Sequence, residues 1–248
     1  KKDYVPNNMA LVLSGNFDAQ AAKPLIEQTF GKLPRGAEPT FPSYEPNNFD
    51  GRVVEKVRIT PIKAGFMGYK LVPVGHPDQP ALEVINLMMS NGDETGFLDK
   101  MMLNNEALYI GGYFEFREED GSTFIFYVPK IFGKTLNKFE SQIKSSFRDI
   151  ADGKFTEAYL ESIKNNIYRN YKRSLERPAR LGRYLGLSFI YDLSYEELLN
   201  KPEKVQKLSK RDIQEAATKY FGDNYFTMRS RTGFPKKPKL KKPPFKPI

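Results

Sequence analysis

Several short stretches of the chain are rich in apolar, strand-forming residues, and this pattern predicts β-strands. The predicted strands are 9–14, 53–59, 66–72, 108–117, 122–128 and 224–232. Asp120-Gly121 separates two of them and favours a tight hairpin turn. Phe124, Phe126 and Val128 alternate along the second strand of this hairpin, so they should share one face of a sheet.

Helical spacing and capping residues predict helices between these strands. Asp18 can cap a helix that runs to about Phe30, although Pro24 favours a regular part that starts one turn later. Asp78-Gln79-Pro80 begins another helix, which a turn at 91–96 interrupts. The helical stretch after that turn should place Phe97, Leu98, Met101 and Met102 on one side. A further helix is expected over 136–151.

The longest predicted helix follows Thr156 and carries an apolar or aromatic residue at every fourth position. The row is Phe155, Tyr159, Ile163, Ile167, Tyr171 and Leu175. Because a strict four-residue row drifts around an α-helix, this face should contact more than one neighbour. Pro178 ends or kinks the helix, and capping boxes at Ser194 and Ser209 begin two more helices. Together the elements favour an α+β fold, with an antiparallel sheet and helices packed on one face.

Composition narrows the possible chemistry. The 248 residues include no cysteine and one histidine, His76. Disulfides, thiolate metal sites, cysteine nucleophiles and two-histidine metal sites within this chain are therefore excluded. His76 lies in a turn before a predicted helix, and we interpret it as a structural residue. No apolar run approaches the roughly 18 residues that a membrane span requires.

The positive charge of the chain is concentrated at its end. The net charge is 39 − 30 = +9, and six lysines fall within residues 235–248, which leaves +3 for the rest. The basic balance is therefore weak support for a nucleic-acid-binding module. The proline-lysine composition of this tail favours an extended linker.

A second group of basic residues begins in the last part of the long predicted helix, continues past Pro178 and is interleaved with tyrosines. It comprises Arg169, Lys172, Arg173, Arg177, Arg180 and Arg183, beside Tyr168, Tyr171 and Tyr184. Such a group can bind an acidic peptide or a nucleic acid, or it can be the solvated face of an amphipathic helix. The candidate substrate or partner contacts are Arg169, Arg173, Arg177 and Arg180.

Several motifs fail on spacing. Gly133-Lys134-Thr135 resembles the end of a phosphate-binding loop. That loop also needs a glycine five residues before Gly133, and the residue at that position is Val128. The turn that begins at Asn91 resembles a calcium-binding loop, but its twelfth position is Met102, which cannot coordinate calcium as a glutamate would. No catalytic or metal-binding residue is therefore assigned within this chain, and no cofactor is expected to bind it.

An internal echo suggests how the chain is organised. Residues 4–9 and 220–225 share a tyrosine, an apolar residue, two turn residues and an asparagine before a predicted strand. The echo predicts that residues 1–50 are the closing strand–helix unit of a preceding domain with a proline-rich connector. Residues 51–234 then form a complete domain, and residues 235–248 form a linker.

The order of these motifs resembles the insulinase/pitrilysin-type zinc metallopeptidases. The resemblance rests on 4–18, 30–34, 78–84, 90–98, 120–124 and 220–222, which read YVPNNMALVLSGNFD, FGKLP, DQPALEV, SNGDETGFL, DGSTF and YFG. It implies an architecture like that of the mitochondrial processing peptidase and of LuxS. It also implies two similar halves enclosing a peptide-sized chamber, with zinc held by an inverted H-x-x-E-H helix and a distal glutamate in the first domain.

This chain lacks that zinc motif, so the resemblance implies the non-catalytic domain that follows the zinc domain and forms part of the chamber wall. Zinc is expected in the parent protein, with an upstream zinc-bearing domain, a second homologous half and a peptide substrate as partners. Assisting domains of the family carry an arginine and a tyrosine seven residues apart, where this chain has Thr123 and Lys130. The alternatives are a catalytically dead assembly subunit and, more remotely, a basic nucleic-acid-binding module. The absence of cysteine suits either the cytoplasm or a bacterial periplasm.

Overall fold

The computed structural model describes residues 4–41, 49–58, 62–130, 135–230 and 232–233. The strands are β1 Arg52–Val57, β2 Ala64–Gly68, β3 Lys70–Leu71, β4 Ala107–Phe116, β5 Gly121–Pro129 and β6 Tyr225–Ser230. The helices are α1 Ala19–Thr29, α2 Gln79–Met89, α3 Asp99–Leu103, α4 Leu136–Ala151, α5 Glu157–Leu175, α6 Pro178–Ile190, α7 Tyr195–Leu199, α8 Lys201–Gln206 and α9 Lys210–Tyr220. A short 3-10 turn at Pro6–Asn8 precedes them.

The strands form one sheet in the order β1-β6-β2-β5, with β3 and β4 also paired to β5. Every pair is antiparallel except β1 and β6, which are parallel. β2 and β3 both pair with β5 and are separated only by Tyr69. The hydroxyl oxygen of Thr123 accepts a hydrogen bond from the Tyr69 N–H at 2.8 Å, and the Thr123 N–H donates to the Tyr69 carbonyl at 2.9 Å. Pairing therefore continues across the break.

The core lies between one face of the sheet and helices α2, α4, α5 and α9. Tyr69 and Tyr127 enter it from the sheet and are fully buried, as are Phe139 and Phe147 of α4. The ring of Phe147 stacks on that of Phe221, 4.0 Å between centroids, and meets the ring of Tyr69 edge-on at 5.3 Å. Helices on one face of a largely antiparallel sheet confirm the predicted α+β fold.

Strand prediction succeeded inside this sheet and failed before it. Residues 9–14 form no strand in the structure, since none of the described residues pairs with them. Their apolar side chains Met9, Leu11 and Leu13 are exposed. A short apolar run forms a strand only where a partner strand supplies the hydrogen bonds, and the described chain supplies none here.

The capping residues correctly predicted where several helices begin. Asp18 accepts hydrogen bonds from the N–H groups of Gln20 and Ala21, and α1 runs through Pro24 without a delayed start. The predicted later start is wrong because proline removes only one hydrogen bond from a helix whose first turn is already capped. Ser209 and Asp212 form a reciprocal capping box, and Ser194 forms one with Glu197.

The row of apolar residues on α5 contacts several helices, as its drift predicted. Helix α5 packs against α2, α6 and α8. The shorter stretch after the 91–96 turn departs from prediction at one residue. Leu98 and Met101 are buried, whereas Met102 is 39% exposed. In α3, Met102 follows Met101 directly, so it points away from the face that packs on the core.

Two sequence interpretations lie outside the described residues. These are the Gly133-Lys134 pair and the proline-lysine tail at 235–248. Among the described helices, none is long and apolar enough to cross a membrane.

Candidate functional site

The face of the sheet opposite the helices carries a cluster of aromatic side chains. It consists of Phe66 from β2, Tyr109 and Tyr113 from β4, and Phe124 and Phe126 from β5, and we call it the open aromatic face. Ring centroids are 5.5 Å apart for Phe66 and Phe124, 5.2 Å for Tyr113 and Phe124, and 5.9 Å for Tyr109 and Phe126. These separations are typical of rings in direct contact.

Strand register explains why these rings meet. Phe126 pairs with Phe66 on one side and with Gly111 on the other, and Phe124 pairs with Tyr113. Directly paired residues point to the same face of a sheet, and side chains along each strand alternate between its two faces. The pairing therefore places all five rings on one face. A Cβ atom at Gly111 would lie 3.0 Å from the Tyr109 hydroxyl, so glycine provides room for that side chain. The rings line a shallow hollow of about 410 Å³.

The open aromatic face is uncovered by the rest of the described chain. Tyr113 is 57% exposed, Tyr109 51% and Phe126 42%. Contiguous exposed aromatic surface of this kind marks a binding surface rather than a core. Strand β4 pairs only with β5 among the described residues, so its other edge is free to accept hydrogen bonds from an extended chain.

The side chains of this face offer contact surface to a ligand. Its rings can stack on or pack against apolar and aromatic side chains, and its two phenols can form hydrogen bonds. It holds no carboxylate or imidazole. Among the described residues, no group of three or more His, Cys, Asp or Glu side chains could hold a metal ion. The arrangement supports binding of a peptide-like ligand.

A buried ionic cluster stabilises the other side of the sheet. Glu140 of α4, 4% exposed, accepts hydrogen bonds from the Arg52 Nε at 2.6 Å, the Tyr225 hydroxyl at 2.7 Å and the Arg229 guanidinium. Burial alone would raise the pKa of Glu140, but hydrogen bonds from Arg52, Arg229 and Tyr225 outweigh burial and lower it. Burial and the hydrogen bond to Glu140 raise the pKa of Tyr225 to about 12, so its phenol stays a donor. The cluster joins β1 and β6 to α4.

The four candidate arginines lie away from the open aromatic face. Arg169 and Arg173 are on α5, Arg177 precedes α6 and Arg180 is in its first turn. All four are exposed, and none forms an ion pair with a carboxylate of the described residues. Neighbouring Lys172 is instead 3.5 Å from Glu203. Their role as partner contacts stays a prediction.

Three other residues considered in the sequence analysis form hydrogen bonds within the fold. His76 accepts a hydrogen bond on Nδ1 from the Asp78 N–H at 3.0 Å, within the turn before α2. Thr123 is buried on the helix-covered side, where it bonds to Tyr69. Lys130 donates to Asn105. Thr123 therefore does not reach the open aromatic face.

Sequence reasoning recognised the alternation of Phe124 and Phe126 but missed that their face is uncovered. The signal was present, since Phe124, Ile125, Phe126 and Tyr127 are all apolar or aromatic. A strand that is apolar on both sides has two surfaces to cover. In this chain the helices cover one of them, the side of Ile125 and Tyr127.

Comparison with known proteins identifies the domain type. Residues 1–167 match the sequence model of the family described as "Peptidase M16 inactive domain". The chain is 23% identical over 236 residues to a zinc protease, PqqE, of Helicobacter pylori, and this match covers 90% of the chain and 51% of that protein. The chain therefore spans about half the length of that relative.

Solved structures agree on the fold. A protease from Helicobacter pylori superposes with a TM-score of 0.80 at 18% identity, over 88% of this chain and 54% of that one. An M16 inactive domain from Pseudomonas fluorescens superposes with a TM-score of 0.73 at 16% identity, over 90% of this chain and 53% of that one. The inactive peptidase domain of a zinc protease from Bordetella parapertussis superposes with a TM-score of 0.60 at 16% identity, over 76% of this chain and 98% of that one. These matches confirm the resemblance found in the sequence, and the chain belongs to the M16 peptidase family, in which it matches the inactive domain.

Proposed function

We propose that this chain lines part of a peptide-binding chamber in a larger zinc peptidase and leaves hydrolysis to another domain. The observation that carries the proposal is the open aromatic face with the free edge of β4 beside it. Aromatic rings offer large, rigid contact area to side chains of varied sequence, and a free strand edge offers hydrogen bonds to any peptide backbone. Both features suit a chamber that holds peptides.

The proposal assigns zinc to a domain outside residues 1–248. A peptidase zinc site built from two histidines and a glutamate needs a second histidine, and this chain has one histidine. The curated relative is named a zinc protease, and this chain matches only about half of it. We infer that an upstream zinc-bearing domain and a second homologous half complete the parent protein.

The exposed N-terminal segment supports the proposed domain division. Apolar side chains along 4–41 are exposed, and none of the residues in this range is buried. We propose that residues 1–50 complete a preceding domain, that 51–234 form the inactive domain and that 235–248 link it onward. The four arginines, exposed and without ion pairs among the described residues, remain candidates for contact with an acidic peptide or partner.

The division of labour predicts the behaviour of the isolated chain. We expect purified residues 1–248 to bind no stoichiometric zinc and to cleave no peptide, because the ligands and the general base lie elsewhere. Metal analysis after dialysis and a fluorogenic peptide assay measure both. Cleavage by the isolated chain that a chelator abolishes would contradict the proposal.

The chamber wall is tested in the parent protein by removing rings from the open aromatic face. Phe126→Ser and Tyr113→Ser should each raise KM for a long peptide about tenfold, or ~1.4 kcal/mol, with kcat little changed. Phe189→Ser is the matched control, because Phe189 is 53% exposed on α6, away from this face. Equal KM values for all three variants would overturn the assignment. A parent protein that assembles but cleaves nothing would favour the alternative of a structural subunit.

A further inference from the structure

A second concave surface lies between the turn at 74–79, the end of β4 and helices α6, α7 and α8. Its volume is about 300 Å³. None of its lining residues belongs to the open aromatic face, so the two surfaces are separate. We call it the helical cleft. At this volume it can enclose a small molecule or one to two amino-acid side chains.

Much of the helical cleft is apolar. Phe116 at the end of β4, Leu187 on α6, and Tyr191 and Leu193 after it form this wall. All four are partly exposed in the described structure and are not covered by another element. A ligand with an apolar body would cover this wall and gain the free energy of removing that surface from water.

The negatively charged and acceptor groups of the cleft already have partners. The Glu83 carboxylate accepts from the Gln79 side-chain amide at 2.8 Å and lies 2.6 Å from the Lys201 Nζ. The side-chain amide oxygen of Gln79, Oε1, accepts a hydrogen bond from the Gly75 N–H at 2.7 Å. Glu197 accepts from the Ser194 N–H at 2.9 Å in the capping box. These groups are committed to holding the turn and the helices in place.

Lys201 is paired with Glu83, but two other cationic side chains of the cleft have no such partner among the described residues. Arg183 and Lys204 line the cleft, and neither side chain forms a hydrogen bond or an ion pair with the described residues. The pKa of Glu197 is lowered mainly by its hydrogen bonds with Ser194, and the positive charge of Lys204 adds a smaller contribution. Because the Nδ1 of His76 accepts from the Asp78 N–H, a neutral His76 ring carries its proton on Nε2, which is a further donor. A ligand that satisfies this cleft must therefore bring acceptors and negative charge.

We propose that the helical cleft binds a small amphipathic carboxylate, with its apolar body on the Phe116–Leu187 wall and its carboxylate held by Arg183 and Lys204. Arginine and lysine both suit an anionic oxygen, arginine through paired donors and lysine as a point charge. Two sources share this chemistry: the C-terminal end of an apolar peptide, and a short fatty acid. The inference concerns a surface distinct from the proposed chamber wall, so it stands or falls independently of that proposal.

Calorimetric titration of the full chain distinguishes the two sources. The probes are octanoate, N-acetyl-Leu-Leu with a free carboxylate, and the same dipeptide as its C-terminal amide. We expect at least one carboxylate to bind, and the amide to bind at least tenfold more weakly than the free dipeptide acid if the peptide end is the ligand. Octanoate alone binding assigns the fatty acid instead. Binding of neither carboxylate, or equal binding of the acid and its amide with no binding of octanoate, overturns the proposal.

Variants locate the binding within the cleft. Lys204→Met and Arg183→Met should each raise the Kd of the carboxylate that binds about tenfold. Lys207→Met is the matched control, since Lys207 is an exposed lysine at the end of the same helix and does not line the cleft. A similar rise in Kd for Lys204→Met and Lys207→Met would show general charge attraction and would overturn the assignment. Circular dichroism spectra confirm that the exposed-site variants remain folded.

Discussion

Replacing Glu140 by leucine should lower the free energy of unfolding by about 3–5 kcal/mol, among the largest effects of any single substitution in this chain. Glu140 is buried and accepts hydrogen bonds from two arginines and a tyrosine. The Arg229 side chain is 17% exposed, so losing the carboxylate leaves a largely buried cation without a counter-charge. Breaking one partner of a buried ion pair costs more than the pair itself contributes, because the remaining charge stays desolvated.

Urea unfolding at pH 7 measures the effect. Glu215→Leu is the matched control, because Glu215 pairs with Arg211 within α9 at the exposed surface. That substitution should change the free energy of unfolding by less than about 0.5 kcal/mol. Comparable midpoints for the Glu140 and Glu215 variants would contradict the central role of the buried cluster.

The same variant should change how stability depends on pH. The pKa of Glu140 is lowered in the folded chain from its ordinary value of 4.5. The folded state therefore binds its proton less readily than the unfolded state does, and Glu140 contributes stability above pH 4.5 that is lost as pH falls through the folded-state pKa. Unfolding free energies measured from pH 7 to pH 3 should decline less steeply for Glu140→Leu than for the unchanged chain. Asp78 and Asp212, whose pKa values are also lowered, are among the carboxyls that contribute to the remaining decline.

Features set by neighbouring residues were predictable from the sequence. The capping boxes of Ser194 and Ser209 depend on residues three positions apart, and both form. The cap at Asp18 and the β4–β5 hairpin likewise depend on local conformation. The turn of this hairpin lies at Arg117–Asp120, one residue earlier than Asp120-Gly121 predicted, because Gly121 already pairs with Phe116. Local hydrogen bonds of this kind need no information about the rest of the fold, which is why a single sequence suffices to predict them.

Features that join distant residues were not predictable. Glu140 meets Arg52 and Arg229 from 88 and 89 positions away, and no spacing in the sequence marks that encounter. Residues 9–14 are a short apolar run typical of a strand, but no described strand pairs with them. Phe126 and Tyr127 are adjacent aromatic residues on one strand, yet only the helices decide which of the two faces is covered. The candidate site exists only because the helices leave one face uncovered. The sequence therefore predicted that Phe124 and Phe126 share a face, but it did not predict that this face is exposed.

Removing one aromatic ring from the core and one from the open aromatic face should show which rings stabilise the fold. Phe147→Ala should lower the free energy of unfolding by about 3–5 kcal/mol, because the ring is fully buried and stacks on Phe221. Phe126→Ala, on the open aromatic face, should cost far less, since its side chain is already 42% exposed. Urea unfolding of both variants under one set of conditions gives the comparison.

The contrast separates two reasons for an aromatic residue to be present in this sheet. A core ring contributes stability in proportion to the apolar area and the contacts that the fold gives it. A ring on the open aromatic face forgoes much of that contribution, so its retention is better explained by a ligand that covers it. Equal losses of stability for Phe126→Ala and Phe147→Ala would show that the open face is part of the core and would remove the basis for the chamber wall. A small loss for Phe126→Ala, with the rise in KM expected of Phe126→Ser in the parent protein, would place its contribution in peptide binding.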